Sequence, residues 1–101
     1  MSDMAAVVPP PLPAWSQADA IAFEAARECL TDVMAIVSAE LAAPGLTAER
    51  ERVLSAEFVR LHQERAALAV GDRERVAAVR SAYGKQVRDF RASRMAGKHG
   101  N

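Results

Sequence analysis

Two histidines, one cysteine and a balanced set of thirteen acids and thirteen bases are the groups in this 101-residue chain that could do chemistry. Their spacing argues against most of it. His62 has Phe58, Val59, Arg65 and Ala66 at the three- and four-residue steps that would put a second ligand on its helical face, so a metal site built around it lacks companions. His99 stands in a glycine-containing tail. Cys29 lies inside an apolar helical pattern, where cysteine behaves as a small hydrophobe, and a single cysteine makes neither a disulfide framework nor a Cys-based zinc site. Gly71, Gly84, Gly97 and Gly100 fall in a turn, a helix and a tail, not in a loop that would cradle phosphate. No two carboxylates stand at a spacing that marks an acid/base pair. The expectation is a protein without catalytic residues, cofactor or metal.

The charges that remain are distributed unevenly. Residues 1–46 hold six acids and one base, for a net charge of −5. Residues 47–71 sum to zero, and residues 72–101, with three acids and eight bases, carry +5. A neutral total therefore conceals a gradient, which points to internal pairing or to a charged partner. Arginine outnumbers lysine eleven to two, and its planar fork suits carboxylate or phosphate.

The elements that position these groups are helical. Residues 1–15 contain four prolines within five positions, which fixes φ and removes donors, so an extended Pro-rich arm is expected there. Pro10 and Pro13 match a loose polyproline ligand pattern. Ser16 with Asp19 forms a capping-box pattern, opening a helix over about 17–42 that Pro44-Gly45 ends. Thr47 caps a second helix over about 48–70, with Glu49 and Glu51 favouring the positive end of its dipole. Gly71 stops it, and Asp72 caps a third over about 73–95. Residues 97–101 read as a frayed tail. Short turns make consecutive helices antiparallel. The fold class is all-α: a three-helix antiparallel bundle or hairpin array, a single domain over 16–96, preceded by the arm. Half the residues are hydrophobic, but 22 of them are alanine and only five are aromatic, so much of the core is built from small groups. No run of about 18 apolar residues is present to cross a membrane. The first fifteen residues lack the basic start and apolar stretch of a secretory signal, so a soluble, cytoplasmic protein is expected.

At about 100° per residue, the second helix aligns Leu54, Phe58, Leu61 and Leu68, and the third aligns Val76, Val79, Tyr83, Val87 and Phe90. The first helix is different. Phe23, Ala26, Leu30, Met34, Val37 and Leu41 make its main stripe, yet Ile21, Ala25, Cys29 and Ile36 occupy another side. A helix that is apolar nearly all round is normally buried, and two partner helices are not expected to cover every side. The arm, a second copy or another protein would cover the rest. Beside the apolar stripe of the third helix run Arg73, Arg80, Arg91 and Lys98, with Gly84 and Arg88 near the same edge. This is a flank from which charges reach a neighbouring helix or an interface rim. Pairing with Glu24, Glu28 and Asp32 inside the fold is one use for it, at about 0.2–1 kcal/mol per exposed pair. The other is an acidic partner.

Ile21, Cys29, Ile36, Arg73, Arg80, Arg88 and Arg91 are thus the candidate partner-binding residues. In size, helix number and lack of catalytic residues the chain is similar to the small helical antitoxins and effector chaperones that mask a larger protein. That resemblance implies a non-catalytic binding module with a protein partner. Small helical chorismate mutases share the size and helix count, but none of their motifs is present, and architecture does not license function. Two further readings are a nucleic-acid accessory protein using the basic third helix, and a homo-oligomeric scaffold associating through the first.

Overall fold

Each helix begins where a short polar side chain replaces the missing backbone ladder. A computed structural model describes residues 16–99; the arm over 1–15 and residues 100–101 lie outside the described residues. In α1 (Gln17–Leu41) the capping box is formed: the Asp19 N–H donates to Ser16 Oγ at 3.1 Å, and the Ser16 N–H donates to Asp19 Oδ2 at 3.0 Å. In α2 (Ala48–Ala67) the Arg50 N–H donates to Thr47 Oγ1 at 3.1 Å. In α3 (Arg73–His99) the Arg75 N–H donates to Asp72 Oδ1 at 3.1 Å. Each cap satisfies a donor that the first helical turn leaves over. After α1 the chain reverses through Pro44 and Gly45, whose φ of +79° is a left-handed conformation that glycine adopts without Cβ strain.

Two helix ends differ from the sequence reading. α2 stops at Ala67, not at the glycine. Leu68 leaves the helix with extended backbone and buries its side chain in the core, so an apolar anchor ends the helix before Gly71 can. α3 runs past residue 95 to His99. Gly97 costs that helix about 1 kcal/mol relative to alanine but does not forbid it, and no proline interrupts the segment.

The fold is all-α, three helices with α1 in the middle, packed against both α2 and α3. Arg50 Nη2 donates to Glu40 Oε2 at 3.1 Å and Arg65 Nη1 to Thr31 Oγ1 at 2.9 Å. Residue numbers rise on α2 as they fall on α1, so the two are antiparallel. Arg73 pairs with Asp19 and Arg91 with Asp32; here the numbers rise together, and α3 is parallel to α1. The core fills the angle between the three. Leu30 and Val33 of α1, Leu61 of α2 and Val79 of α3 are its largest fully buried side chains. Around them lie Ala26, Met34, Val37, Leu54, Leu68, Val76 and Val87.

Among the described residues, α2 and α3 do not pack backbone to backbone; long side chains join them. Tyr83 Oη donates to Glu64 Oε1 at 3.0 Å and accepts from Arg60 Nη1 at 3.2 Å. Arg60 also donates to both carboxylate oxygens of Glu57 and to Glu64. Burial first, then the Glu64 carboxylate, holds the Tyr83 phenol above its ordinary pKa, with Arg60 pulling the other way. The folded chain therefore favours the neutral phenol. That contribution is fully present below the unfolded tyrosine value near 10 and is lost as pH rises through the higher folded value. Urea titrations between pH 8 and pH 11 should show wild-type stability falling at the alkaline end, more steeply than for Tyr83→Phe. At neutral pH the variant should lose only about 0.5–1 kcal/mol, the worth of a part-exposed hydrogen bond. Parallel pH curves for the two proteins would rule out the linkage.

Candidate interaction face

The seam between α1 and α3 collects the residues singled out by type and spacing. At its start Arg73 Nε donates to Asp19 Oδ2 at 2.9 Å, and its Nη2 lies 2.8 Å from the same oxygen in an ion pair. The Arg73 hydrogen bond, followed by that of the Ser16 N–H, holds the Asp19 carboxyl below its ordinary pKa. The same carboxylate thus caps α1 and fixes the start of α3. Arg80 lines a small hollow here with Asp19, Ala22, Val70 and Arg73. Midway, Gly84 is buried against Cys29: a Cβ at residue 84 would stand 3.8 Å from Cys29 Sγ and 3.4 Å from Nη1 of Arg88. The Arg88 guanidinium therefore folds back over this close approach. Further along, Arg91 Nη2 donates to Asp32 Oδ2 at 3.4 Å.

Beyond that pair the seam opens into a cleft of about 650 Å³. Asp32, Ala35, Ile36 and Ala39 form its α1 wall, and Val87, Phe90, Arg91, Arg94 and Met95 its α3 wall. Met95 is 61% exposed. The Arg94 guanidinium lies 5.7 Å from the centre of the Phe90 ring, in cation–π range. The lining is mainly apolar, with Asp32, Arg91 and Arg94 as its charged members.

Comparison of the chain with protein-family models, curated proteins and solved structures finds no match.

Six of the seven candidate residues fall into three groups. Ile36 and Arg91 line the cleft; Cys29 and Arg88 meet at Gly84; Arg73 and Arg80 line the opening hollow. Ile21 alone of the α1 residues stands clear, 64% exposed. The covering of α1 differs from the sequence expectation that two helices would leave the Cys29/Ile36 side open. Because α2 and α3 pack on different flanks of α1, together they reach further round it, and both residues are half-buried. Ile36 packs against the core itself.

Sequence reasoning missed the far wall of the cleft. Arg94 follows Phe90, and Met95 follows Arg91, at the four-residue helical step, which was the available signal; both lay inside the expected third helix but were assigned neither to its apolar stripe nor to its basic flank. No group of three or more His, Cys, Asp or Glu that could hold a metal ion occurs among the described residues. Nor, among the described residues, is any helix long and apolar enough to cross a membrane. What the seam offers is an apolar recess with charged edges.

Proposed function

We propose that this chain is a non-catalytic protein-binding module, a small helical partner of the inhibitor, antitoxin or chaperone kind that masks a larger protein, and that the α1–α3 seam is its docking face. The supporting observation is the cleft. Exposed Met95 and part-buried Ile36 and Phe90 present apolar surface to solvent, the kind of anchor that carries most interface energy, while Arg91 and Arg94 supply a charged rim that steers encounter. A nucleic-acid role is the weaker reading. Arg73 and Arg91 spend their charge on Asp19 and Asp32 within the fold, and the aromatic Phe90 is already covered on one side by Arg94, which leaves little for base stacking.

Met95→Asp is the discriminating variant, because a residue this exposed can be changed without unfolding the chain. Ile36→Asp is less informative, since its side chain also supports the core. The tagged wild-type chain, cross-linked in its native host, should yield a stoichiometric protein partner that Met95→Asp recovers at least tenfold less well, with unchanged helix content by circular dichroism. Equal recovery by the two proteins would sink docking of a larger protein at this face. Co-purified nucleic acid, with affinity falling steeply as salt rises, would favour the other reading.

A further inference from the structure

We infer that, while no larger protein is bound, this face is occupied by a second copy of the chain, docked about a two-fold axis that crosses α1 near Glu28. The inference rests on the assignment of the α1–α3 seam as a docking face and names what covers it. Both halves of a self-complementary surface are present on one side of the molecule. At one end stands Ile21, a large apolar side chain 64% exposed. At the other lies the cleft formed by Ile36, Ala39, Phe90 and Met95. Along α1 the two are roughly 20 Å apart at about 1.5 Å per residue. A two-fold axis through the midpoint carries Ile21 of each copy onto the cleft of the other, so the knob and the recess fill each other twice.

The charges agree with this placement and not with a parallel one. Glu24 and Glu28 are exposed on α1 and have no ion pair among the described residues, and the same is true of Arg88 and Arg94 on α3. The acids lie toward the Ile21 end and the centre, the bases toward the centre and the cleft. Antiparallel docking sets Glu24 opposite the Arg91–Arg94 end of the partner copy and Glu28 opposite Arg88. A parallel arrangement would set acids on acids. The two Glu28 side chains approach each other near the axis, and the Arg88 guanidinium, folded back over Gly84 beside Cys29, stands next to them in each copy. Ala25, Ala35 and Ala39 add no bulk, so the two α1 helices can approach closely. Such an isologous contact closes on itself and leaves no sticky end.

The face is about 27 Å long and about 20 Å wide for two adjacent helices, which puts the interface at the small end of the stable range. Self-association is therefore expected in the micromolar range rather than below it.

Sedimentation of the 101-residue chain over about 10–500 µM should show its mass rising from 10.9 kDa to twice that value. Ile21→Asp and Met95→Asp should each keep it monomeric at unchanged helicity. Glu28→Arg and Arg88→Glu should each weaken association at least tenfold, and an equimolar mixture of the two should restore a heterodimer. A wild-type chain that stays monomeric throughout, a dimer indifferent to both apolar variants, or a mixture that fails to reassociate overturns the inference. A monomeric wild type whose recovery of another protein still depends on Met95 would remove the second copy alone and leave the docking face standing. Loss of that dependence in a proven dimer would remove the masking role alone.

Discussion

Leu30→Ala should destabilise this fold by about 3–5 kcal/mol, the upper part of the range for leucine truncation in a core. Leu30 is fully buried on α1, the helix against which both others pack. A hole at this position opens within a single core shared by all three helices, where a rigid helix cannot collapse to fill it without giving up packing elsewhere. For a domain of this length total stability is on the order of 5–10 kcal/mol, so the variant should lose about half of it. The melting temperature should fall by at least 12 °C, taking about 4 °C per kcal/mol as the lower bound for a small domain. Urea unfolding followed at the helical circular dichroism band reads the loss directly. Val59→Ala serves as the control, because Val59 is an exposed apolar residue on α2 and should change stability by less than about 0.5 kcal/mol. If Leu30→Ala costs no more than that control, α1 is not the centre of the core.

The same centrality explains what was legible in the sequence. Caps are local, so Ser16 with Asp19, Thr47 and Asp72 could each be placed from a four-residue pattern, and the structure forms all three. The apolar stripes were legible for the same reason: Leu54, Leu61, Val76, Val79 and Val87 are all buried. Periodicity says which side of a helix is apolar but not which neighbour covers it. Cys29 and Ile36 looked like surplus because nothing local reveals that α3 lies on the flank of α1 away from α2. That choice depends on contacts such as Asp19–Arg73, between residues more than fifty positions apart. The early end of α2 was hidden likewise. Leu68 leaves the helix to reach a tertiary pocket, and a buried leucine overrides the stop signal that Gly71 offers three residues later. Of the candidate site, Ile36 and Arg91 were found from type and spacing, whereas Arg94 and Met95, though inside the expected third helix, were not, because periodicity alone does not show that α3 carries them to the cleft beside α1.

Gly84 gives the second large effect, and its sign depends on the substituent. Glycine inside a helix costs about 0.8–1 kcal/mol relative to alanine. A Cβ at this position would meet Cys29 Sγ at 3.8 Å, an ordinary contact, and Arg88 Nη1 at 3.4 Å, the far end of a flexible side chain. Gly84→Ala should therefore stabilise the fold by about 0.5–1 kcal/mol, since the guanidinium can swing outward into solvent. Leucine carries three more carbons past the Cβ, into a seam where Cys29 is already at contact distance. Gly84→Leu should overpack the α1–α3 contact at a cost of about 1–3 kcal/mol and drive the helices apart where Arg88 covers the seam. Two readouts separate this from a general loss of helix. Thermal melting should order the proteins Ala above Gly above Leu, and the half-buried Cys29 thiol should react faster with a thiol reagent in the leucine variant under native conditions. A leucine variant with wild-type stability and thiol reactivity would mean that α3 does not approach α1 closely at Gly84. Because Gly84 lies between the Asp19–Arg73 pair and the cleft, such a result would also free the two ends of the docking face from each other.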